Sequence, residues 1–334
     1  MIDNTGEGEE MKKEVKADMP KIAVVIPAYR AAASIEEVIR GIPAWVSLIV
    51  VVEDGGGDNT AGLVSSMAIT DPRIHLVCHS SNQGVGGAVV SGYRLACQLG
   101  AEIIVKIDSD GQMDPFYIDK LILPLLNDEA DYSKGNRFMN SNVLKNMPKV
   151  RLIGNSALSF LLKITSGYWN VMDPTNGYTA IHTAILEKLD LNKISKRYFF
   201  ESDMLIHLNI INAVVQDINI PSKYGNEVSF LSLGKAIIQF PFKLTKGFVK
   251  RIFLKYFIYD FNMASVYILL GLPMFFLGIL LGLIGWRDSI IHGTAKPLGT
   301  IMLLALTITL SFQMLLQAIS IDINSTPKRR NKLR

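Results

Sequence analysis

The first third of the chain repeats a pattern of apolar runs followed by turns and segments of helical pattern. Four apolar runs of strand length occupy residues 21–29, 48–54, 74–79 and 102–108. Uninterrupted apolar strands that alternate with helices predict a parallel sheet covered by helices on both faces. The first helix is predicted to begin with a capping box formed by Ser34 and Glu37. Ligands of such sheets bind at the carboxyl ends of the strands.

Two long uncharged segments near the C-terminus follow a different pattern. They cover residues 263–286 and 297–321. At a rise of about 1.5 Å per residue, each forms a helix of roughly 36 Å, which is enough to cross a hydrocarbon core of about 30 Å. The alternative is a buried pair of core helices, which two such segments in tandem disfavour. The sequence therefore predicts two transmembrane helices.

Basic residues flank this pair of segments on both sides. Lysines and an arginine precede the first segment, residues 328–334 follow the second, and the connecting loop is nearly balanced in charge. The positive-inside rule then predicts an integral protein of the plasma or inner membrane, with both termini and the N-terminal domain in the cytoplasm. Residues 229–262 interleave lysines with aromatic and aliphatic residues, which predicts amphipathic helices in the headgroup region. Nucleic acid binding is the weaker alternative for that stretch.

Composition and charge narrow the class of protein further. Hydrophobic residues make up 49% of the 334 residues, and a net charge of +4 is too small to indicate a nucleic acid partner. The two cysteines have no paired spacing, which argues against a disulfide framework and a zinc site. The predicted division is a disordered polar tail without a signal peptide (1–20), an α/β domain (21–228), amphipathic helices (229–262), two membrane spans (263–286 and 297–321) and a basic cytoplasmic tail (322–334).

The segment after the fourth apolar run gathers oxygen ligands. Asp108, Asp110 and Gln112 alternate along it, and in an extended segment such residues face the same side. Carboxylate and amide oxygens in this number suit Mg²⁺ or Mn²⁺, and Mg²⁺ completes its shell with water and phosphate oxygens. A cation there would neutralise charge on a departing diphosphate. The alternative is a chance pair of loop aspartates, and Asp114 is interpreted as a turn residue before Pro115.

A glycine-rich turn follows the third apolar run. Gly84, Gly86 and Gly87 invite comparison with a dinucleotide-binding fingerprint, but Val89 stands where that fingerprint needs glycine or alanine. The fingerprint also follows the first strand of its fold, whereas this turn follows the third. A plain nucleotide-binding turn therefore fits better, and a tight turn without a ligand is the alternative.

Six motifs in a fixed order carry a resemblance to a known family. They are I-P-A-Y (26–29), V-V-V-E-D-G-G-G-D-N-T (50–60), N-Q-G-V-G-G-A (82–88), D-S-D-G-Q (108–112), K-G-N-R-F (134–138) and D-P-T-N-G-Y (173–178). Over residues 21–323 the sequence resembles glycosyltransferase family 2 enzymes of the dolichol-phosphate-mannose synthase type, specifically the bacterial polyprenyl-phosphate glycosyltransferases with a C-terminal membrane hairpin. The resemblance implies a GT-A fold, which is a Rossmann-like mixed α/β sheet, followed by amphipathic interfacial helices and two transmembrane helices.

The resemblance also implies roles for individual residues. The nucleotide-sugar contacts would be Pro27, Tyr29, Val52, Asp54, Asp108, Ser109, Asp110 and Arg137. Mg²⁺ or Mn²⁺ would be held by Asp108, Asp110 and Gln112. Arg137 would bind phosphate oxygens, because its planar fork matches them bidentately. The candidate catalytic residues are Asp110, Arg137 and Asp173.

Three departures from the family pattern limit this transfer of roles. Ala31 stands where the family often has an acidic contact, and Glu53 replaces the first aspartate of the usual D-D-G. Tyr178 stands where one branch of relatives has an aspartate proposed as catalytic, so that role is not transferred. Asp173 is the nearby candidate instead.

Four further residues are candidates for the acceptor phosphate. They are Lys134, Arg197, Glu201 and Asp203. The E-S-D sequence of the last two resembles the acidic motif that follows the family's acceptor loop, and it equally fits a helix N-terminus whose acids complement the dipole. No general base is required, since an acceptor phosphate is already anionic and positioning can suffice.

The resulting interpretation is an inverting, metal-dependent transfer of one sugar from a UDP- or GDP-sugar to polyprenyl phosphate at the cytoplasmic membrane face. A processive polysaccharide synthase is the first alternative, although its Q-x-x-R-W motif and larger set of spans are not found in the sequence. A membrane-anchored protein that binds nucleotide sugars without catalysis is the second. The implied partners are a nucleotide sugar, a polyprenyl or dolichyl phosphate and the bilayer, with no nucleic acid, and relatives suggest a homo-oligomer.

Overall fold

The computed structural model describes residues 20–137, 149–221 and 233–329. Parts of several predictions lie outside these ranges: residues 1–19 of the predicted tail, Phe138 of the fifth motif, the predicted domain boundary at 228, and residues 330–334. The strands are β1 (Ile22–Ala28), β2 (Leu48–Glu53), β3 (Ile74–Cys78), β4 (Ile103–Lys106), β5 (Tyr132–Asn136), β6 (Thr179–His182) and β7 (Val215–Asn219).

The helices of the first two described ranges are α1 (Ile35–Gly41), α2 (Thr60–Thr70), α3 (Val85–Gln98), α4 (Ile118–Leu126), α5 (Lys149–Ser166), α6 (Thr183–Leu186) and α7 (Phe200–Ile210). The helices between β1 and β4 alternate with the strands as the apolar pattern predicts, whereas α6 and α7 further along follow one another with no strand between them. Short 3-10 helices occupy Pro115–Tyr117 and Leu191–Lys193. The third range contains α8 (Leu233–Phe253), a π-helix (Leu254–Tyr259), α9 (Met263–His292) and α10 (Leu298–Asn324).

The seven strands form one mixed sheet in the order β3-β2-β1-β4-β6-β5-β7. The strands β3, β2, β1 and β4 run parallel to one another, which confirms the parallel arrangement predicted from the first four apolar runs. The strand β6 is antiparallel to both β4 and β5. The sheet is therefore mixed, as the family resemblance implies.

Both faces of the sheet are buried, because alternate residues of each central strand enter different hydrophobic clusters. In β1, Ala23 and Val25 pack with α3 and α7, whereas Val24 and Ile26 pack with α1, α2 and α4. Every residue of β1 and β2 is buried. This three-layer packing makes the carboxyl ends of β1, β2 and β4 a common edge where the chain emerges from the core.

The predicted capping box at the start of α1 is wrong. Ser34 occupies the N-cap position of α1, but its side chain makes no capping hydrogen bond. The Ser34 hydroxyl instead donates to the main-chain carbonyl of Ser109 at 2.6 Å. A tertiary contact has taken the group that the local pattern assigned to the helix terminus, and it ties α1 to the segment after β4.

The helices α9 and α10 are long and apolar enough to cross a membrane, with mean hydropathies of 2.5 and 1.9 over their most apolar windows. Most of their side chains are exposed, and the two helices pack against each other. Gly271 and Gly278 of α9 lie against Leu315 and Ile308 of α10, where an added Cβ would approach to 3.2 and 2.8 Å. Small residues thus allow close approach of the two helices.

Candidate active site

A cavity of about 310 Å³ opens at the carboxyl ends of β1, β2 and β4. Six of the eight residues predicted to contact a nucleotide sugar line it: Pro27, Tyr29, Asp54, Asp108, Ser109 and Asp110. Asn82, Gly84, Val85 and Ala88 from the glycine-rich turn and the first turn of α3 complete much of the wall. The sheet edge therefore brings together four motifs that lie far apart in the sequence.

Val52, which was also predicted to contact the nucleoside, does not line this cavity. It is fully buried in the cluster between the sheet and α3, where it faces Gly92. Val52 and Asp54 fall on the same face of β2, but Val52 lies within the strand and packs against α3, whereas Asp54 lies past the strand end at the cavity edge. Any contact of Val52 with a nucleoside would have to use its main chain.

Asp54 organises the glycine-rich turn. Its carboxylate accepts hydrogen bonds from the main-chain N–H of Gln83 at 2.9 Å and of Gly84 at 2.7 Å. The Nδ1 atom of His79 lies 2.7 Å from the same carboxylate, and its Nε2 atom lies 2.9 Å from the Ser91 hydroxyl. Asp54 is thus held by three contacts of the chain itself. His79 was missed from the sequence, although its position directly after β3 places it at the same sheet edge.

The glycines of the turn are required by the neighbouring chain. Gly84 has a φ of +89°, and an added Cβ would lie 2.6 Å from the Lys196 carbonyl oxygen. At Gly86 an added Cβ would lie 2.3 Å from the carbonyl oxygen of Ser195. These are closer than any real Cβ contact, so the segment before α7 can pack here only against glycine. The turn also lines the cavity, so a nucleotide-binding role for it stays a prediction.

The two aspartates after β4 line the same cavity, but Gln112 does not. The chain leaves the extended conformation in a turn at Ser109 and Asp110, and Gly111 follows with a φ of +76°. Gln112 lines a smaller cavity of about 30 Å³ next to Arg137 and Tyr178. Asp108, Asp110 and Gln112 were expected to share one face, and this expectation is wrong for Gln112.

The carboxylates of Asp108 and Asp110 fit a divalent cation. Among residues 20–137, 149–221 and 233–329, no group of three His, Cys, Asp or Glu side chains is arranged to hold a metal. Mg²⁺ commonly uses one or two carboxylates and completes its octahedron with water and substrate phosphates. The donor set is therefore chemically suited to a cation that is shared with a diphosphate, and Gln112 as a ligand stays a prediction.

Lys106 contacts Asp108 from within the core and was not predicted as a site residue. Its side chain is 1% exposed, and its Nζ donates to Asp108 Oδ1 at 2.7 Å and to Glu201 Oε1 at 3.2 Å. Burial lowers the pKa of Lys106, but the two carboxylates outweigh it and hold the pKa above its usual range. The lysine thus joins β4 to the first turn of α7 and holds Asp108, which lines the cavity, near Glu201.

Arg137 and Asp173 form a bidentate pair beside the smaller cavity. The Nε and Nη2 atoms of Arg137 donate to the two carboxylate oxygens of Asp173 at 2.7 and 3.0 Å. The Asp173 side chain is fully buried, whereas that of Arg137 is 31% exposed. This geometry orients the guanidinium through Asp173, and a catalytic role for either residue stays a prediction.

The remaining acceptor candidates lie in different surroundings. Lys134 is completely buried and donates to the Asn176 carbonyl, and burial lowers its pKa to about 8. Arg197 is exposed beside Gly84. Glu201 contacts Lys106, as described above. Asp203 accepts from the Ser195 N–H at 2.7 Å, so it supports the segment that packs on the glycine-rich turn. The two acids of E-S-D thus have separate environments.

Asp217 of β7 carries a largely buried carboxyl group near Lys134, and the pKa of this group leads to a prediction about pH. Burial raises its pKa from 3.8 to about 6. As pH rises, the unfolded chain loses this proton at a lower pH than the folded protein does. The protonated carboxyl group therefore stabilises the fold fully below the unfolded pKa, and this stabilisation is lost as pH rises through the folded pKa. We expect Asp217→Asn to abolish this loss, so that its melting temperature rises relative to wild type between about pH 4 and pH 7.

Thermal unfolding of the two proteins across that range measures the difference directly. Asp119→Asn, at an exposed position of α4, is the control for removing one carboxylate. A difference in melting temperature that stays constant with pH in Asp217→Asn would contradict the prediction.

Comparison with solved structures defines the class of protein. The chain is similar to glucosyl-3-phosphoglycerate synthase from Mycobacterium tuberculosis solved in complex with UDP, with a TM-score of 0.53 and 22% identity over 70% of this chain and 82% of that one. The same synthase was also solved with Mn²⁺, UDP-glucose and phosphoglyceric acid, with a TM-score of 0.52 and 21% identity over 75% of this chain and 85% of that one. At this identity the likeness shows the fold, which is GT-A-like, as the resemblance implied.

Comparison of sequences identifies the family. Residues 23–190, half of the chain, match glycosyl transferase family 2, and the chain belongs to that family. It is 33% identical over 198 residues to the UDP-N-acetylglucosamine--dolichyl-phosphate N-acetylglucosaminyltransferase of Methanococcus voltae, which covers 55% of this chain and 78% of that one. It is 30% identical over 189 residues to the polyprenol monophosphomannose synthase of Mycolicibacterium smegmatis, covering 54% and 69%. The protein is a glycosyltransferase.

Proposed function

We propose that this protein transfers a single sugar, with inversion, from a UDP- or GDP-sugar to polyprenyl or dolichyl phosphate at the cytoplasmic face of a membrane. The observation that carries the proposal is the cavity at the sheet edge, lined by Asp54, Asp108 and Asp110, in a chain with two helices of bilayer length. The names of the relatives from Methanococcus voltae and Mycolicibacterium smegmatis, which refer to dolichyl phosphate and polyprenol, support the acceptor.

The donor half of the site is built from the first four strands. Tyr29 and Asp54 lie on the nucleoside side of the cavity in this proposal, and Asp108 and Asp110 would hold Mg²⁺ or Mn²⁺ with the diphosphate. The bound cation would neutralise the charge that develops on the departing nucleoside diphosphate. Lys106 keeps Asp108 in place from below through their 2.7 Å contact. Glu53 accepts from the N–H groups of Gly55 and Gly56, which shapes the rim beside Asp54.

The acceptor half relies on arginine side chains. A phosphate monoester is anionic at neutral pH and attacks without losing a proton, so the protein has to position two anionic substrates against their repulsion. Arg137 is partly exposed and its fork is held by Asp173, which suits a phosphate contact. Arg197 is exposed beside Gly84, a residue of the donor cavity. Lys134 is fully buried and would act on the phosphate through its charge without touching it.

The membrane half of the proposal uses α9 and α10 as two spans. Their flanking lysines and arginines favour an orientation with the catalytic domain in the cytoplasm. A polyprenyl phosphate is confined to the bilayer, so tethering the catalytic domain to the same bilayer raises the effective concentration of the acceptor. The amphipathic helix α8 would lie in the headgroup layer between the domain and the spans.

A donor screen on the full-length protein tests this function. The protein is reconstituted in vesicles with long-chain polyprenyl phosphate and Mg²⁺ or Mn²⁺, and is given labelled UDP-glucose, UDP-N-acetylglucosamine or GDP-mannose in turn. We expect label in the lipid phase with one donor, and mass spectrometry of the product to show a single sugar. Omission of the lipid phosphate is the control.

Two outcomes of this screen would refute the proposal. Label in a polymer would indicate a polysaccharide synthase. Donor binding measured by calorimetry without transfer to any lipid phosphate would indicate a non-catalytic binding protein.

A further inference from the structure

A buried polar cluster joins the catalytic domain to the helices of the C-terminal region. Its centre is Arg251 near the end of α8, which is 0% exposed. The Nη1 and Nη2 atoms of Arg251 donate to the two carboxylate oxygens of Asp322 in α10, at 2.7 and 2.9 Å. We call Arg251, Tyr256 and Asp322 the domain–span clamp. Tyr256 donates from its hydroxyl to Asp322 at 2.6 Å.

The same arginine also holds the catalytic domain. Its Nε donates to the carbonyl oxygen of Thr165 at 2.8 Å, and its Nη2 donates to that of Ile164 at 2.9 Å. These carbonyls end α5, where the chain leaves unpaired acceptors and where a cation is favourable. One guanidinium therefore connects α8, the C-terminus of α5 and the C-terminal turns of α10.

The surroundings of the clamp permit little adjustment. Gly167, directly after α5, has a φ of +75°, and an added Cβ would lie 2.5 Å from Arg251 Nη1. The hydroxyl of Thr326, just beyond α10, lies 3.3 Å from the Gly167 carbonyl oxygen. Lys255 donates to Asn209 at the end of α7 at 3.1 Å. Directional contacts thus link the second candidate span to the C-terminus of α5 through Arg251 and Thr326, and the π-helix to α7 through Lys255.

The chemistry of the clamp indicates a positioning role. A buried ion pair gains little net stability over an apolar contact of the same size, because both charges lose their hydration. What it supplies is geometry, since the planar fork of arginine accepts a carboxylate in one orientation. An apolar contact between α8 and α10 would hold the two parts together without fixing the angle between them.

We propose that Arg251 and Asp322 are positioning residues that hold the catalytic domain at one height and tilt over the bilayer, so that its cavity meets the headgroup of a membrane-embedded acceptor. This inference rests on the proposed function, because only a lipid-linked acceptor makes height and tilt matter. A donor arrives from water at any orientation of the domain, and so does an acceptor with a short soluble chain. Loss of the clamp is therefore expected to slow transfer to a membrane-embedded acceptor and to leave the use of the donor and of a soluble acceptor unchanged.

The kinetic test compares two acceptors with the reconstituted full-length protein. With long-chain polyprenyl phosphate in vesicles, Asp322→Asn is expected to lower kcat/KM by about tenfold or more, because the effective concentration of the acceptor at the cavity falls. With a water-soluble short-chain polyprenyl phosphate, kcat/KM is expected to change by less than about twofold, and the KM for the donor is expected to stay as in wild type.

The control for this comparison is Arg329→Ala. Arg329 lies on the segment after α10 and pairs with Asp131 of the catalytic domain at 2.9 Å, but it is 40% exposed. An exposed pair contributes little and fixes no orientation, so both acceptors should retain their rates. Arg251→Lys is the second test variant. Because lysine keeps the charge but lacks the planar fork, we expect the same difference in kcat/KM between the two acceptors.

A distance measurement gives a readout without turnover. A dye is attached at Ser65→Cys, an exposed position of α2, in a protein that also carries Cys78→Ser and Cys97→Ser. Energy transfer from this dye to dyes in a nanodisc reports the height of the catalytic domain above the bilayer. We expect one narrow distribution for the wild-type clamp and a broader one for Asp322→Asn.

Different results would overturn the clamp and the proposed function. Equal loss with both acceptors, no loss with either, or an unchanged distance distribution would each overturn the positioning role. If the protein with an intact clamp transfers no sugar to any polyprenyl phosphate, the proposed function fails. The distance distributions then still decide whether Arg251 and Asp322 fix the orientation of the domain.

Discussion

Replacing Asp110 with alanine is expected to lower the rate of sugar transfer by at least about 100-fold, because the proposed cation site at the diphosphate would lose one of its two carboxylates. Asp110 lines the large cavity together with Asp108, and its Oδ1 accepts from the Gln112 N–H at 3.0 Å. Initial rates with labelled donor measure the loss. Binding of Mn²⁺ to the same protein, followed by electron paramagnetic resonance, is expected to weaken in parallel and gives a readout independent of turnover.

The control for Asp110→Ala lies four residues further along the same loop. The Asp114 carboxylate accepts from the Phe116 N–H at the start of the 3-10 helix Pro115–Tyr117, which agrees with its interpretation as a turn residue. Asp114→Ala is expected to cost about 1 kcal/mol of stability, as for a lost helix cap, with the transfer rate within about twofold of wild type. Full activity and Mn²⁺ binding in Asp110→Ala would remove Asp110 from the proposed metal site.

Replacing Lys106 with methionine is expected to lower the free energy of unfolding by about 3 kcal/mol. The lysine is the cation between Asp108 and Glu201, and removing it leaves two like charges facing each other in a poorly hydrated place. Asp108 is 30% exposed, so some water reaches it, and the cost falls at the low end of the range for a broken buried pair. Denaturant unfolding of the purified protein measures the difference.

A double variant distinguishes this charge effect from a loss of packing. In Lys106→Met with Glu201→Gln, one of the two carboxylates is neutralised, and most of the stability should return. Lys120→Met, at an exposed lysine of α4, should leave the free energy of unfolding within about 0.5 kcal/mol of wild type. A double variant as unstable as the single one would show that Lys106 contributes through packing.

Much of the fold follows from local patterns in the sequence. Every residue of β1 and β2 is buried, and only an element covered on both faces tolerates uninterrupted apolar runs such as V-V-I and I-V-V-V. The cavity follows from the same pattern, because parallel strands end at one edge. For this reason Tyr29, Asp54 and Asp108, each directly after an apolar run, meet in space although they are separated by dozens of residues.

Predictions that needed a side chain's direction beyond a strand end were less successful. The side chain of Val52 packs in the core, so its predicted nucleoside contact stays a prediction that only its main chain could meet. The prediction for Gln112 assumed that the chain stays extended, whereas it turns from Ser109 to Gly111. The capping box failed because the Ser34 hydroxyl found a partner in Ser109. In each case a tertiary or backbone constraint outweighed the local periodicity.

The sequence by itself determined the order of the strands and helices in the parallel half, the place of the acidic residues at the sheet edge, and the two C-terminal helices of bilayer length. These depend on periodicity and length, which are local properties. The tertiary structure alone decided which charges meet: Lys106 with Glu201, 95 residues away, and Arg251 with Asp322, 71 residues away. Such pairs form only when packing brings distant elements within about 3 Å of each other, and no local pattern encodes that distance.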